Sequence, residues 1–145
     1  SVTPLVLVAA LPPGFLITAI LVVNNLRDID SDRRVGKKTL AVRIGPGGTR
    51  WEYTLLLAGA YGVPVVLVVL ALGRSDLAAA PFLILLLPWL TILRAARIRR
   101  MIYTAADGPT MNLALAMTAK LSLTYSVLFA IGLAFYSHIP ILTTL

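Results

Sequence analysis

The sequence predicts an all-α, polytopic transmembrane helical bundle, and three observations predict it. Of 145 residues, 59% are hydrophobic and only 13% are charged, with a mean hydropathy of +0.90. Soluble domains carry about 25% charged residues, so this balance excludes a water-soluble globule and a disordered chain alike. Four long stretches carry no Asp, Glu, Lys or Arg, and about 20 such residues cross a bilayer as a helix. The basic residues gather in two clusters that four alternating spans place on one side of the membrane.

The first span is expected over about 2–27. Ser1 to Val23 are uncharged, and Pro12-Pro13-Gly14 interrupts them. The second is expected over 51–73, where Tyr53 to Gly73 are uncharged around Pro64, with Trp51 and Tyr53 as interfacial anchors. The third is expected over 77–99, from an uncharged Leu77–Leu93 containing Pro81 and Pro88. The fourth is expected over 109–137. Asp107-Gly108-Pro109-Thr110 supplies a capping side chain and a first-turn proline, and His138 alone could carry charge between Leu121 and Leu145. Prolines inside spans kink them. Such kinks are either ordinary transmembrane prolines or bends around a ligand cavity.

Between the first two spans, residues 24–50 form the one break in composition, expected to be a loop. It holds Arg27, Arg33, Arg34, Lys37, Lys38, Arg43 and Arg50, while the third span ends in Arg94, Arg97, Arg99 and Arg100. Only Arg74 opposes them. The net charge of +7 therefore reads as topology: both clusters are cytoplasmic, the protein sits in the cell inner (plasma) membrane, and nucleic acid is not the expected partner. Lys120, inside the fourth span, either snorkels to the interface or faces a polar cavity. There is no cysteine, so disulfides and thiolate metal sites are excluded. No basic leader with a short apolar core precedes the first span, whose apolar run begins at once; the chain is expected to be a piece of a longer protein.

The chemistry is expected where the first span leaves the membrane. If its helix continues, Asn24, Asp28 and Asp32 fall at i, i+4 and i+8 on one face. Carboxylates four apart repel each other, and a helix C-terminus disfavours anions. A divalent cation removes both penalties. Oxygen ligands without nearby His or Cys suit Mg²⁺ or Mn²⁺. Asp30 lies about 200° around the same helix. Arg27, Lys37 and Lys38 flank the acids and suit the free oxygens of a metal-bridged diphosphate. Gly36 can make a tight turn between the two halves. With an apolar cavity alongside, the set describes a site for a lipid-tailed diphosphate.

The string Asn24-Asn25-x-Arg27-Asp28-x-x-x-Asp32-x-x-x-Gly36-Lys37-x-Thr39-Leu40-Ala41, followed by Arg43 and Gly45, resembles the second aspartate-rich motif of the UbiA superfamily of intramembrane prenyltransferases. Its two ends resemble the 1,4-dihydroxy-2-naphthoate polyprenyltransferase branch of menaquinone biosynthesis. Asn112, in the Ala-rich start of the last helix, is also similar. The resemblance implies a nine-helix membrane fold around a central cavity, of which this chain supplies four spans and the C-terminal half of a single domain. It implies two aspartate-rich motifs holding a prenyl diphosphate through Mg²⁺, with Asp28 and Asp32 as the metal-binding, catalytic pair. Asn24, Arg27, Lys37 and Lys38 then bind the diphosphate. It implies transfer of the polyprenyl group to the naphthoate with loss of the ring carboxylate, giving a demethylmenaquinone precursor.

A first motif of the form Asn-Asp-x-x-Asp is missing, since Glu52, Asp76 and Asp107 stand alone. The N-terminal half of the same protein is therefore the expected partner, and this chain alone is expected to be inactive. Prenyl transfer to 4-hydroxybenzoate, homogentisate or protohaem is the alternative within the family. Outside it stand a cation-binding transport module and a fragment whose loop recruits anionic lipid.

Overall fold

In a computed structural model the chain is described over residues 4–73, 80–105 and 107–137. Among these residues there is no β-strand. The elements are α1 (Pro4–Arg27), α2 (Ile29–Arg34), α3 (Leu40–Leu72), a 3₁₀ helix (Ala80–Thr91), α4 (Ile92–Thr104) and α5 (Gly108–Ser137). The molecule is an all-α membrane bundle. Three of its helices, over Val6–Arg27, Leu40–Leu72 and Gly108–Phe135, are long and apolar enough to cross a bilayer. Arg74, Asp76, residues 77–79 and His138 lie outside the described residues.

α1 keeps its helical course through Pro12 and Pro13. The two rings remove the donors that Val8 and Ala9 would otherwise meet, and both of those residues pack against the core. α3 begins well before the expected 51. Thr39 is extended and caps it, accepting from the Val42 N–H at 3.3 Å. Gly45 then breaks the helix at φ 73°, ψ 175°. Only glycine adopts that conformation readily, and Pro46 restarts the helix with its φ already set. The expected loop over 24–50 is thus largely helical: charged residues hid a capped and punctuated helical segment.

The third span is divided. Ala80–Thr91 is wound as 3₁₀ and Ile92–Thr104 as α-helix, so it does not form one long helix as expected. Pro88 cannot donate to an i−4 carbonyl, and the Thr91 hydroxyl donates to the Pro88 carbonyl at 2.7 Å, closing the tighter turn. Gly132 of α5 makes room for this backbone: a Cβ there would sit 2.8 Å from the Ile84 carbonyl oxygen.

Around the bundle the order is α1, α3, the 3₁₀ helix with α4, and α5, which returns to α1. In lipid, packing and inter-helical hydrogen bonds hold such seams together. The Tyr53 and Thr118 hydroxyls meet at 3.2 Å, and those of Tyr61 and Thr91 at 2.6 Å. Tyr125 donates to the Ala60 carbonyl. Tyr61 and Tyr125 cross edge-to-face at 5.3 Å, with Phe129 tilted against Tyr125 at 6.1 Å. Tyr53, Tyr61, Tyr125 and Phe129 are therefore core residues, while Trp51 stays exposed. Lys120 lies on the exposed arc of α5, beside Leu123 and Val127.

Candidate functional site

Asn24 and Arg27 sit in the last turn of α1, Asp28 at the joint, and Asp32 in α2. The joint barely interrupts the helix. The Asp28 N–H donates to the Asn24 carbonyl at 3.1 Å, and the Asp32 N–H to the Asp28 carbonyl at 2.8 Å. The i, i+4 register survives, so the two carboxylates stand on successive turns.

Arg27 organises the first half of the cluster. Its Nε and Nη2 donate to the two oxygens of Asp28 at 2.8 Å each, a bidentate fork. Nη2 also donates to Asn24 Oδ1 at 2.9 Å, and Nη1 reaches Asn112 Oδ1 on α5 at 2.8 Å. The family resemblance marked Asn112 itself, but its contact with Arg27 was not legible in the sequence.

Asp32 and Lys37 form the second half. Gly36, at φ 75°, ends α2 in a left-handed turn. The Gly36 N–H bonds to the Arg33 carbonyl at 3.2 Å and the Lys37 N–H to the Asp32 carbonyl at 2.9 Å. These are the paired bonds of a Schellman cap. The cap folds Lys37 back over α2, where its Nζ donates to Asp32 Oδ1 at 2.8 Å. Asp32 is buried, with 8% of its side chain exposed, while Lys37 reaches solvent.

The hydrogen bonds from Arg27 hold the Asp28 carboxyl below the usual carboxylate range, and the Lys37 charge lowers it further. Asp32 raises Lys37 above the usual lysine range, and Asp28 adds to that. The two pairs thus feel each other and act as one cluster, with Asp28 ionised at neutral pH. Lys38 is exposed and no ion pair ties it to either acid. Asp30 points elsewhere, 3.5 Å from Arg33 Nη1. With Arg27, Arg33, Arg50 and Asp107 it lines a polar cavity of about 280 Å³.

Asp28 and Asp32 do not line that cavity, nor the apolar groove between α3 and α4. The apolar space expected beside them is instead an open helix face. Leu7, Leu11, Gly14, Thr18 and Leu21 recur at spacings of four and three along α1, all exposed. Continued through Asn25, that stripe ends on Asp28 and Asp32.

Among the described residues no group of three or more His, Cys, Asp or Glu converges. The donor set is two carboxylates without soft ligands. That suits an oxygen-seeking divalent ion that takes one or two protein carboxylates and completes its shell with water and phosphate oxygens. It does not suit zinc.

The model of the UbiA prenyltransferase family matches residues 1–116. This chain belongs to that family. The 1,4-dihydroxy-2-naphthoate octaprenyltransferase of Escherichia coli (strain K12) is 36% identical over 137 residues, covering 92% of this chain and 41% of that protein. The protein of that name from Mycobacterium tuberculosis is 49% identical over 65 residues, 45% of this chain and 22% of that protein. The human UbiA prenyltransferase domain-containing protein 1 is 35% identical over 127 residues, 88% of this chain and 33% of that protein. The chain thus spans well under half the length of these relatives. No solved structure matches it.

Proposed function

We propose that this chain is the C-terminal half of a multi-pass polyprenyltransferase of the cell inner membrane, using 1,4-dihydroxy-2-naphthoate as acceptor and Mg²⁺ as cofactor. One observation carries the reading. Two carboxylates stand on successive turns, each paired with its own cation, at the polar end of an exposed and largely apolar stripe on a helix long enough to cross a bilayer. The family match and the names of the bacterial relatives support the transferred group and the acceptor.

Asp28 and Asp32 hold the divalent ion. When bound, that ion neutralises charge on the departing diphosphate. Arg27, kept in place by Asn24 and Asn112, presents its fork to diphosphate oxygens. Lys37 and Lys38 supply mobile cations from the solvent side. The stripe on α1 shelters the polyprenyl tail and keeps water from the allylic carbon. As the allylic carbon–oxygen bond breaks, a carbon–carbon bond to the ring forms and the ring carboxylate leaves as carbon dioxide. The N-terminal half supplies the first aspartate-rich motif, and the Asp28–Asp32 cluster faces the cytoplasm, a placement that the clustering of basic residues supports.

The test is the full-length protein in membranes, given polyprenyl diphosphate with either 1,4-dihydroxy-2-naphthoate or 4-hydroxybenzoate. A decarboxylated, prenylated naphthol that disappears with chelator and returns with Mg²⁺ is the expected product. Prenylation of the benzoate alone would refute the acceptor, and indifference to chelation would refute the metal. Turnover by residues 1–145 alone would refute the half-site.

A further inference from the structure

The seam between α3 and α4 involves neither α1 nor α2, yet it is built like a binding site. It opens as an apolar groove of about 390 Å³. Ala58 and Gly62 of α3 face Ala96 of α4 across it, and these small side chains keep it open. Trp89 forms one wall, fixed by donating its Nε1–H to the Tyr61 carbonyl at 3.2 Å.

One end of the groove is polar. Arg99 lies there, its guanidinium 5.4 Å from the centre of the Tyr103 ring. The Tyr103 hydroxyl meets that of Thr54, which also lines the groove, at 3.1 Å. Thr54 is one turn beyond the exposed Trp51, so this end sits at the depth where indoles mark the membrane interface. From Thr54 to Gly62 the groove runs about 12 Å toward the bilayer interior, at 1.5 Å per residue. None of Arg94, Arg97, Arg99 and Arg100 forms an ion pair among the described residues. An apolar slot capped at the interface by an arginine that stacks on Tyr103 and has no ion-pair partner among the described residues has the charge and shape complement of one ligand class.

We propose that this groove binds an acyl chain of an anionic glycerophospholipid, with the lipid phosphate on Arg99. The arginine fork matches phosphate oxygens, and a basic helix end beside a membrane attracts anionic headgroups. The site is separate from the diphosphate cluster and does not depend on the reading of that cluster.

Native mass spectrometry on the full-length protein tests it, with phosphatidylglycerol and phosphatidylcholine of identical chains offered in equal amounts. The parent should retain one phosphatidylglycerol about tenfold more tightly, the scale of one hydrogen-bonded charge pair. Arg99→Gln should abolish that preference and Arg97→Gln, on another face of α4, should keep it. Ala96→Leu, which fills the groove without touching charge, should lower retention of both lipids. Equal retention of the two lipids by the parent would overturn the proposal. So would a preference that survives Arg99→Gln, equal losses in Arg97→Gln and Arg99→Gln, or retention unaffected by Ala96→Leu.

Discussion

Gly36 offers a direct way to perturb the charge cluster without altering any of its charges. Its φ is 75°, and a Cβ built there meets nothing within 4 Å. Substitution therefore carries backbone strain and no steric clash. For an ordinary L-residue in the left-handed region that strain is about 1–2 kcal/mol. Asn tolerates the region better than Ala, and β-branched residues tolerate it least. In full-length protein unfolded by denaturing detergent, stability should rank Gly36, Gly36→Asn, Gly36→Ala, Gly36→Val, with Ala about 1–2 kcal/mol below the parent. The same turn folds Lys37 back onto Asp32 at 2.8 Å. The apparent KM for the polyprenyl diphosphate should rise in the same order, with the KM for the aromatic acceptor unmoved. Val as stable as Gly, or Asn as damaging as Val, would refute the strain argument. An acceptor KM that climbs instead would refute the role of the turn in presenting Lys37.

Other outcomes follow from the same geometry. Asp32→Asn keeps the shape of a buried side chain but removes its charge, and turnover should fall at least about 100-fold while the protein stays folded; Asp30→Asn, in an exposed pair with Arg33, should stay close to the parent. Asn112→Ala removes the tie between Arg27 and α5 and should raise the diphosphate KM several-fold, rescued in part by Gln. Gly132→Ala drives a Cβ to within 2.8 Å of the Ile84 carbonyl oxygen and should lower stability by about 1–3 kcal/mol in detergent unfolding. Asp28 and Asp107 have carboxyls held below the usual 3.8, so their contributions are complete above that pH and vanish as it drops through the folded-state values. Lys37 is raised above 10.5, and its contribution fades as pH climbs past the folded value. Thermal stability followed across pH should fall at both extremes, and Asp28→Asn should blunt the acidic fall.

What could be read from the sequence was what accumulates along it or acts over one or two turns. Membrane spans are sums of hydropathy, so α1, α3 and α5 were visible. The Asp28–Asp32 register and the Gly36 turn depend on spacings of four residues and on a single glycine. The helical character of residues 40–50 was masked because its capping Thr39 and its Gly45-Pro46 break look like loop chemistry. Pro88 was visible inside the third span, but the close approach of the Ile84 carbonyl to Gly132, 48 residues away, has no local pattern that encodes it. The Arg27–Asn112 bond spans 85 residues; the resemblance marked Asn112, but no local pattern paired it with Arg27.

The charged contacts around the two aspartates are almost all short in sequence: Arg27 to Asp28, Arg27 to Asn24, Lys37 to Asp32. Such an arrangement is able to take shape while the polypeptide is still emerging, before any later helix has been made. Within this cluster, among the described residues, Asn112 is the one contact that needs the final helix. A nascent chain halted before α5 would carry the acids and their cations already arrayed but would leave Arg27 with one tether undone, so that single amide doubles as a reporter of completed assembly.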